Sequence, residues 1–285
     1  MAKEVKSSNK DLNDFLKALK NKNKFVALLA PSFVAEFEYP KIILQLKKLG
    51  FDKVVELTFG AKMINRDYHK ILENSKNFKI SSVCPGIVQT IKSQFPQFEE
   101  NLIPVDSPMI ATGKICKKFY PKHKIVFLSP CHFKKIEAKN SSFIDYVLDY
   151  QELNSLLEQK NLVDVPVEHY HFDKFYNDYT KIYPLTGGLS KTAHLKGVIK
   201  KNETKIIDGI SNVEKYLKKP DKKIRFLDVN FCVGGCIGGP CLSKTLSLDK
   251  KHKKVLDYLE LSKHEDIPET KKGLIDKAKG ISFLK

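Results

Sequence analysis

KIVFLSPC, at residues 124–131, joins an apolar run directly to a cysteine. A continuous apolar run of this length predicts a buried strand, which ends just before Cys131. Cys84 and Cys232 likewise come just beyond predicted strands, after KISS and after IRFLDVNF. Open α/β folds place their ligand sites beyond the carboxyl ends of strands. The pattern therefore predicts that these cysteines lie in the region where such a fold binds its ligand.

Predicted strands and helices alternate along the rest of the chain. Strands are predicted at 25–30, 52–57 and 146–149, and helices at 41–50, 61–73, 87–95, 107–120, 151–160 and from Gly188. This alternation predicts an α/β fold of two lobes, each with a parallel sheet flanked by helices, at about residues 24–121 and 122–245. Residues 1–23 are predicted to form a polar helical arm, and residues 246–285 a Lys-rich helical tail.

Composition limits the classes of function. The chain has 285 residues, and 50 Lys plus Arg against 33 Asp plus Glu give a formal charge of +17. A basic surface favours acidic partners, but no helix-turn-helix, zinc-finger spacing or aromatic-interleaved basic stripe indicates nucleic-acid binding. The apolar runs are too short for a membrane span, and MAKEVKSSNKDLND lacks a signal-peptide core, so a cytoplasmic location is expected. In that reducing compartment, six cysteines favour metal binding or catalysis over disulfides.

The loop FCVGGCIGGPC, at residues 231–241, carries the strongest local signal. Its glycines let the backbone approach a bulky inorganic group and are expected to point N–H donors at its sulfurs. Thiolates such as those of Cys232 and Cys236 select zinc, copper(I) or iron–sulfur clusters. A structural zinc site more often uses C-x2-C pairs, which the sequence lacks. Two thiolates on this loop and two from distant strands fit a buried cubane cluster.

Simpler explanations exist for single cysteines. Taken alone, Cys84 and Cys131 resemble small buried hydrophobic residues, whereas the four positions together favour metal ligation. Cys116 lies on a predicted helix and is expected in the core. Cys241 ends the glycine loop and is either spare or a cap of the site. None of the 8 histidines pairs at i, i+4, so a histidine-ligated zinc protease is not indicated.

Three blocks of the sequence resemble the catalytic, H-cluster domain of iron-only (di-iron) hydrogenases. The blocks are SSVCPG (81–86), SPCHFKKIEA (129–138) and FCVGGCIGGP (231–240), with supporting stretches LLAPSF (28–33), LGFDKVVELTFGA (49–61), SPMIATGK (107–114) and LTGGLSKTA (185–193). The resemblance covers about residues 24–245. Its blocks follow the family's order along the chain.

The resemblance implies a 4Fe–4S cluster on Cys84, Cys131, Cys232 and Cys236, in the cleft between the lobes. Cys236 would also bridge to a di-iron unit that carries carbon monoxide, cyanide and a dithiolate and that dedicated H-cluster maturases deliver. Lys134 would hold a cyanide ligand, which makes Lys134 and Cys236 the implied catalytic residues. The other implied cofactor-binding residues are Pro31, Ser32, Ser107, Pro108, Met109, Gly234 and Gly235.

The sequence departs from strongly hydrogen-evolving members of this family. Val83 stands where they carry a proton-relaying cysteine, Met109 where they have glutamine, and Asn230 where they have methionine. Asp67 is the nearest match to their acidic relay residues. We therefore expect slow, reversible interconversion of H₂ with protons and electrons, exchanged with an acidic ferredoxin-like carrier. The alternatives are a non-catalytic hydrogen or redox sensor, and an iron–sulfur assembly or electron-transfer protein that holds only a 4Fe–4S cluster.

Overall fold

Short apolar strands form the centre of the fold. The computed structural model describes residues 10–167, 170–177 and 179–285. Its strands are β1 (Phe25–Leu29), β2 (Lys53–Glu56), β3 (Lys79–Ile80), β4 (Lys124–Ser129), β5 (Tyr146–Asp149), β6 (Thr204–Asp208) and β7 (Phe226–Asn230). β1 is buried on both faces, with Val26 and Leu28 in one core and Ala27 and Leu29 in another. Because side chains alternate along a strand, such a strand needs cover on both sides of its sheet.

Helices between the strands provide this cover. They are α1 (Lys10–Lys20), α2 (Lys41–Leu49), α3 (Thr58–Asn74), α4 (Pro85–Gln94), α5 (Pro108–Phe119), α6 (Phe133–Lys139), α7 (Tyr150–Gln159), α8 (Gly188–Thr192), α9 (Ile210–Lys218) and α10 (Leu248–Lys263). Gly50 ends α2 with a left-handed φ of 112°, and Asp149 forms a capping box with Glu152 at the start of α7. None of these helices has the length and apolar character that a membrane crossing requires.

Two parallel sheets confirm the predicted α/β class. One sheet has the strand order β2-β1-β4-β5, and the other has the order β3-β7-β6. In the first sheet, Leu28 is aligned with Val55 of β2 and with Phe127 of β4. In the second sheet, Leu227 of β7 is aligned with Ile80 of β3. A third core, separate from the two that cover β1, packs against the β3–β7 pair.

The sheets do not follow the predicted division of the chain at residue 122. Each sheet combines strands from both sides of that residue, since β4 and β5 join β1 and β2, and β6 and β7 join β3. Parallel neighbours are joined by long crossover connections, so strands that are distant in sequence become adjacent in space. The order of strands along the chain therefore does not determine which sheet each strand joins.

The described parts of both predicted terminal segments pack onto the rest of the fold. Phe15 of α1 is fully buried, with ring centroids 5.2 Å from Phe25 and 5.5 Å from Phe51, so α1 is part of the core. Residues 1–9 of the predicted arm lie outside the described residues. The predicted helical tail is α-helical over α10 only; it continues as 3-10 turns and ends in a bridge between Leu284 and Val105.

The carboxyl ends of strands from both sheets meet around one internal cavity. Residues that directly follow β1, β2, β4 and β7 line it, and so do Val83 and Cys84, which come shortly after β3. This is the position at which open α/β sheets bind their ligands. The fold therefore directs side chains from separate parts of the sequence into one space.

Candidate metal centre

Four cysteine thiols line this cavity, which has a volume of about 100 Å³ and is called the four-cysteine cavity below. Cys84 is the N-cap residue of α4 and follows β3, Cys131 follows β4, and Cys232 follows β7. Cys236 lies on a 3-10 turn over Gly235–Gly238. The structure thus brings together the four cysteines that the sequence analysis singled out as metal ligands.

Burial and mutual repulsion favour the neutral form of the Cys131, Cys232 and Cys236 thiols by raising their pKa values. Burial, followed by the charge of Cys84, raises the pKa of Cys131 to about 11. Burial and the charges of Cys84 and Cys131 raise the pKa of Cys236 to about 12, and causes of the same kind raise the pKa of Cys232. A cluster shared by the four sulfurs would remove this penalty, because a coordinating thiol gives up its proton. Among the described residues, no three of these sulfurs lie within 4.8 Å of one another, so the donor set fits an iron–sulfur cluster better than a single ion.

Close backbone packing fixes the glycine loop. Gly235 has a φ of +75°, and a Cβ there would lie 2.4 Å from the carbonyl oxygen of Pro184. A Cβ on Gly238 would lie 1.9 Å from the carbonyl oxygen of Val233. These separations are too short for any side chain, so the loop requires glycine at both positions. The N–H of Cys236 donates to the Pro184 carbonyl at 2.7 Å, which holds its sulfur at the cavity.

The N–H groups of the glycine loop were expected to point at sulfurs. Those whose hydrogen bonds the structure shows donate to oxygen atoms of the protein instead, so the expectation is wrong for them. The N–H of Gly234 donates to Asp208 Oδ2 at 2.7 Å, and its neighbours donate to backbone carbonyls. Buried N–H groups need an acceptor within the protein, and the loop supplies one in each case. Donors to a sulfur come instead from α6, where the N–H groups of Phe133 and Lys134 hydrogen-bond Cys131 and lower the pKa of its thiol.

Lys134 reaches the wall of the four-cysteine cavity. Its positive charge acts on two thiols and lowers the pKa of Cys131 and of Cys236, against the larger effect of burial. Its Nζ donates to Glu137 Oε2 at 2.6 Å and to the Val83 carbonyl at 3.4 Å. Glu137 was not singled out from the sequence, although its i, i+3 spacing from Lys134 was available as a signal. The ammonium is therefore already oriented by a carboxylate.

The other predicted cofactor-binding residues fall into two groups. Those on the cavity wall are Pro31, Pro108, Met109 and Gly235. Ser32, Ser107 and Gly234 are not among the residues that line it. The Ser32 hydroxyl lies 3.0 Å from that of Tyr150, and Ser107 caps α5 by accepting a hydrogen bond from the N–H of Ile110 at 3.4 Å. The hydroxyls of both serines are therefore engaged by other groups of the protein.

Two ionisable residues on the wall were missed by the sequence analysis. Tyr183 lines the cavity, and its buried hydroxyl has no hydrogen-bond partner among the described residues. Asp228 also lines the cavity; burial raises its pKa, although the N–H and hydroxyl of Ser190 both donate to its carboxylate. An aspartate inside the apolar run IRFLDV was a usable signal for Asp228. Nothing in the local sequence marked Tyr183.

The two cysteines outside the cavity have different surroundings. Cys116 is fully buried in a hydrophobic core that includes Met109 and Phe127, which confirms its expected role in packing. Cys241 is also fully buried, but its Sγ lies 3.4 Å from Nδ1 of His132. Cys241 therefore lies within hydrogen-bonding distance of an imidazole.

Comparison with known proteins gives a family match over most of the chain. The model of the family described as "Iron only hydrogenase large subunit, C-terminal domain" matches residues 23–240. Iron hydrogenase 1 of Clostridium pasteurianum is 28% identical over 255 residues, which cover 70% of this chain and 44% of that protein. The cytosolic Fe-S cluster assembly factor NAR1 of Scheffersomyces stipitis is 29% identical over 164 residues, which cover 50% of this chain and 28% of that protein.

Solved structures show the same fold. A variant of the FeFe-hydrogenase HydA1 from Chlamydomonas reinhardtii superposes with a TM-score of 0.68 at 14% identity, over 93% of this chain and 90% of that one. At this low identity the likeness concerns the fold alone. The chain spans less than half the length of the two curated relatives, at 44% and 28%.

Proposed function

Because the chain belongs to the family of the iron-only hydrogenase large subunit, C-terminal domain, we propose that it interconverts H₂ with protons and electrons. Membership of this family implies an iron–sulfur cofactor. The proposed group is a 4Fe–4S cluster on Cys84, Cys131, Cys232 and Cys236, with Cys236 also bridging to a di-iron unit that carries carbon monoxide, cyanide and a dithiolate. When bound, this group supplies the redox chemistry. The convergence of four thiols on one cavity is the observation that supports the proposal most.

The residues on the cavity wall suit an anionic inorganic group. Lys134 carries the only positive charge among the described residues of the wall. A buried anion needs a hydrogen-bonded cation close by, and the bond from Lys134 to Glu137 orients that ammonium. Pro31, Pro108 and Met109 add apolar surface, which keeps water away from the group.

The same wall offers few groups that could deliver protons. Val83 lies directly before Cys84, lines the cavity and has no ionisable atom. Asp67 does not line the four-cysteine cavity and lies in a separate pocket with Arg66. A positioned general acid or base contributes roughly 10²–10⁴-fold to a rate. We therefore propose that turnover is slow.

Replacing Val83 with cysteine is expected to raise the rate of hydrogen evolution by about 10²-fold or more, because it places a proton carrier at the wall. The measurement is H₂ evolution by matured protein with a chemical reductant. Val83→Ala is the matched control, since it removes bulk without adding a proton donor. Equal rates for the cysteine and alanine variants would show that proton delivery at this position does not limit turnover.

Infrared spectroscopy on anaerobically matured protein tests the function directly. Protein co-expressed with the maturases is expected to show bands from iron-bound carbon monoxide and cyanide, since both ligands absorb where protein does not. Iron counting on the same sample is the companion measurement. Absence of both bands from protein that retains about four irons per chain, the content of one cubane, would overturn the proposal.

That outcome would favour a second candidate, an iron–sulfur protein that carries no di-iron unit. Two observations support this candidate. The NAR1 relative is named as an Fe-S cluster assembly factor, and Val83 leaves the position directly before Cys84 without an ionisable group. In that case the chain would serve in assembly, electron transfer or redox sensing.

We also propose that the electron partner is an acidic, ferredoxin-like protein and that H-cluster maturases deliver the di-iron unit. The formal charge of +17 supports an acidic partner, because opposite charges accelerate encounter. The likeness to the hydrogenase of Clostridium pasteurianum supports the need for maturation.

A further inference from the structure

A second group of metal-binding side chains lies outside the four-cysteine cavity. His132, Asp149 and Cys241 each present one donor atom, and these three atoms lie within 4.8 Å of one another. None of the three is among the described residues that line the four-cysteine cavity. They come from three separate segments: the start of α6, the end of β5 and the end of the glycine loop.

The geometry of this group is that of donors around a common point. Cys241 Sγ lies 3.4 Å from His132 Nδ1 and 3.6 Å from Nε2, and Asp149 Oδ2 lies 3.5 Å from Nδ1. One ring nitrogen has a single proton or lone pair, so it cannot serve two such partners fully by hydrogen bonding. Tetrahedral zinc with Zn–S, Zn–N and Zn–O bonds of about 2.0–2.3 Å separates its donors by about 3.4–3.6 Å. The two separations from Nδ1 therefore match edges of a zinc tetrahedron in length, and a turn of the imidazole that moves Nε2 away from the sulfur would point the Nδ1 lone pair at the ion.

The surrounding structure holds the donors in place. Asp149 is 2% exposed, and its Oδ1 accepts the N–H of Glu152 at 3.0 Å, which turns Oδ2 toward the group. Cys241 is fully buried, and its N–H donates to the Pro130 carbonyl at 3.2 Å. His132 keeps 24% of its side chain exposed. Two donors are therefore fixed in the interior, and the third opens a route to solvent.

The charges of the group also suit a divalent ion. A thiolate on Cys241 and the carboxylate of Asp149 together balance two positive charges. The ammonium of Lys135 lies 3.2 Å from Asp149 Oδ2 but only 2.7 Å from Glu152 Oε1, so its shorter ion pair is with Glu152. An ion bound to Asp149 Oδ2 would share that oxygen with Lys135, which lowers the affinity of the site for the ion.

We propose that His132, Asp149 and Cys241 form a mononuclear site for a borderline-soft divalent ion of the zinc type, with a fourth position open to solvent. A mixed sulfur, nitrogen and oxygen donor set is characteristic of zinc, whereas calcium and magnesium prefer oxygen alone. The site is separate from the proposed hydrogen chemistry and does not depend on it.

Zinc titration of the full chain tests the site, with X-ray absorption at the zinc edge as the readout. The cluster is first reconstituted so that the four cavity cysteines are occupied, and one equivalent of Zn²⁺ is then added. We expect a zinc shell with one sulfur and otherwise nitrogen or oxygen. More than one sulfur would place the zinc in the four-cysteine cavity and overturn the proposal, as would failure to bind.

Two variants sharpen the test. Asp149→Asn keeps the α7 N-cap, because asparagine caps as well as aspartate, but removes the anionic donor. Cys241→Ser removes the sulfur. Each is expected to weaken zinc binding at least tenfold at unchanged iron content, while Cys116→Ala, which alters the other cysteine outside the cavity, leaves it unchanged. If neither Asp149→Asn nor Cys241→Ser weakened zinc binding, the proposal would also be overturned. Thermal unfolding of each variant checks that it is folded.

Discussion

Cys232→Ser is expected to lower the affinity for the iron–sulfur cluster by well over tenfold. Even the loss of a hydrogen-bonding partner of a metal ligand costs about 10–100-fold in metal affinity, and Cys232 is proposed as a ligand itself. Serine is a hard donor that holds its proton far more firmly than a thiol, so it cannot replace a thiolate in this buried site. Iron per chain after anaerobic reconstitution and desalting measures the effect.

Cys116→Ala is the matched control for this prediction. Cys116 is fully buried but lies in a hydrophobic core and not on the wall of the four-cysteine cavity. Its loss should change stability slightly and leave the iron content as it was. If Cys232→Ser retained native iron, or if both variants lost iron equally, the four-cysteine ligand set would be wrong.

Lys181→Met is expected to lower the free energy of unfolding by about 3–5 kcal/mol, the usual cost of breaking a buried ion pair on one side. Lys181 and Glu56 both have 0% side-chain exposure, and Nζ lies 2.8 Å from Oε2. The hydroxyl of Tyr258 closes the network, because it accepts from Lys181 at 2.8 Å and donates to Glu56 Oε1 at 2.7 Å. Without the ammonium, the Glu56 carboxylate would lie in the interior without a countercharge.

Urea unfolding of the metal-free protein, followed by circular dichroism, measures this loss of stability. Lys263→Met is the control, because Lys263 lies 2.7 Å from Glu260 at the surface, with side-chain exposures of 49% and 62%. Exposed pairs of this kind contribute little to stability, because water and salt screen their charges. Equal effects of the two substitutions would show that the buried pair adds no more than a surface one. Adding Glu56→Gln to Lys181→Met should restore part of the stability, because it removes the unpaired charge.

Fully buried strands were predictable because their apolar runs are unbroken. KIVFLS forms β4 with the predicted bounds, and FVALL forms β1. β6 (Thr204–Asp208) was missed because it is a partly exposed edge strand, whose sequence TKIID shows neither alternation nor an apolar run. The pairing of strands into sheets was not predictable, since parallel neighbours come from distant parts of the chain.

The site was predictable to the extent that its residues follow strands. The four cysteines stand directly after strands or on the glycine loop, and this local signal located them. Tyr183 lines the cavity because of packing between distant parts of the chain. No local sequence pattern predicts such a position. Gly234 was placed in the site by the family resemblance, whereas in the structure its N–H donates to Asp208.

The spacing of the four cysteines along the chain affects when metal can be inserted. Cys84 comes from the first third of the sequence, and Cys232 and Cys236 come from its last fifth. A ribosome must therefore synthesise most of the polypeptide before the proposed donors coexist, and the β3–β7 pairing must form before Cys84 and Cys232 meet. On the proposed ligand set, cofactor loading follows translation, and nascent fragments that end before residue 232 cannot retain the cluster.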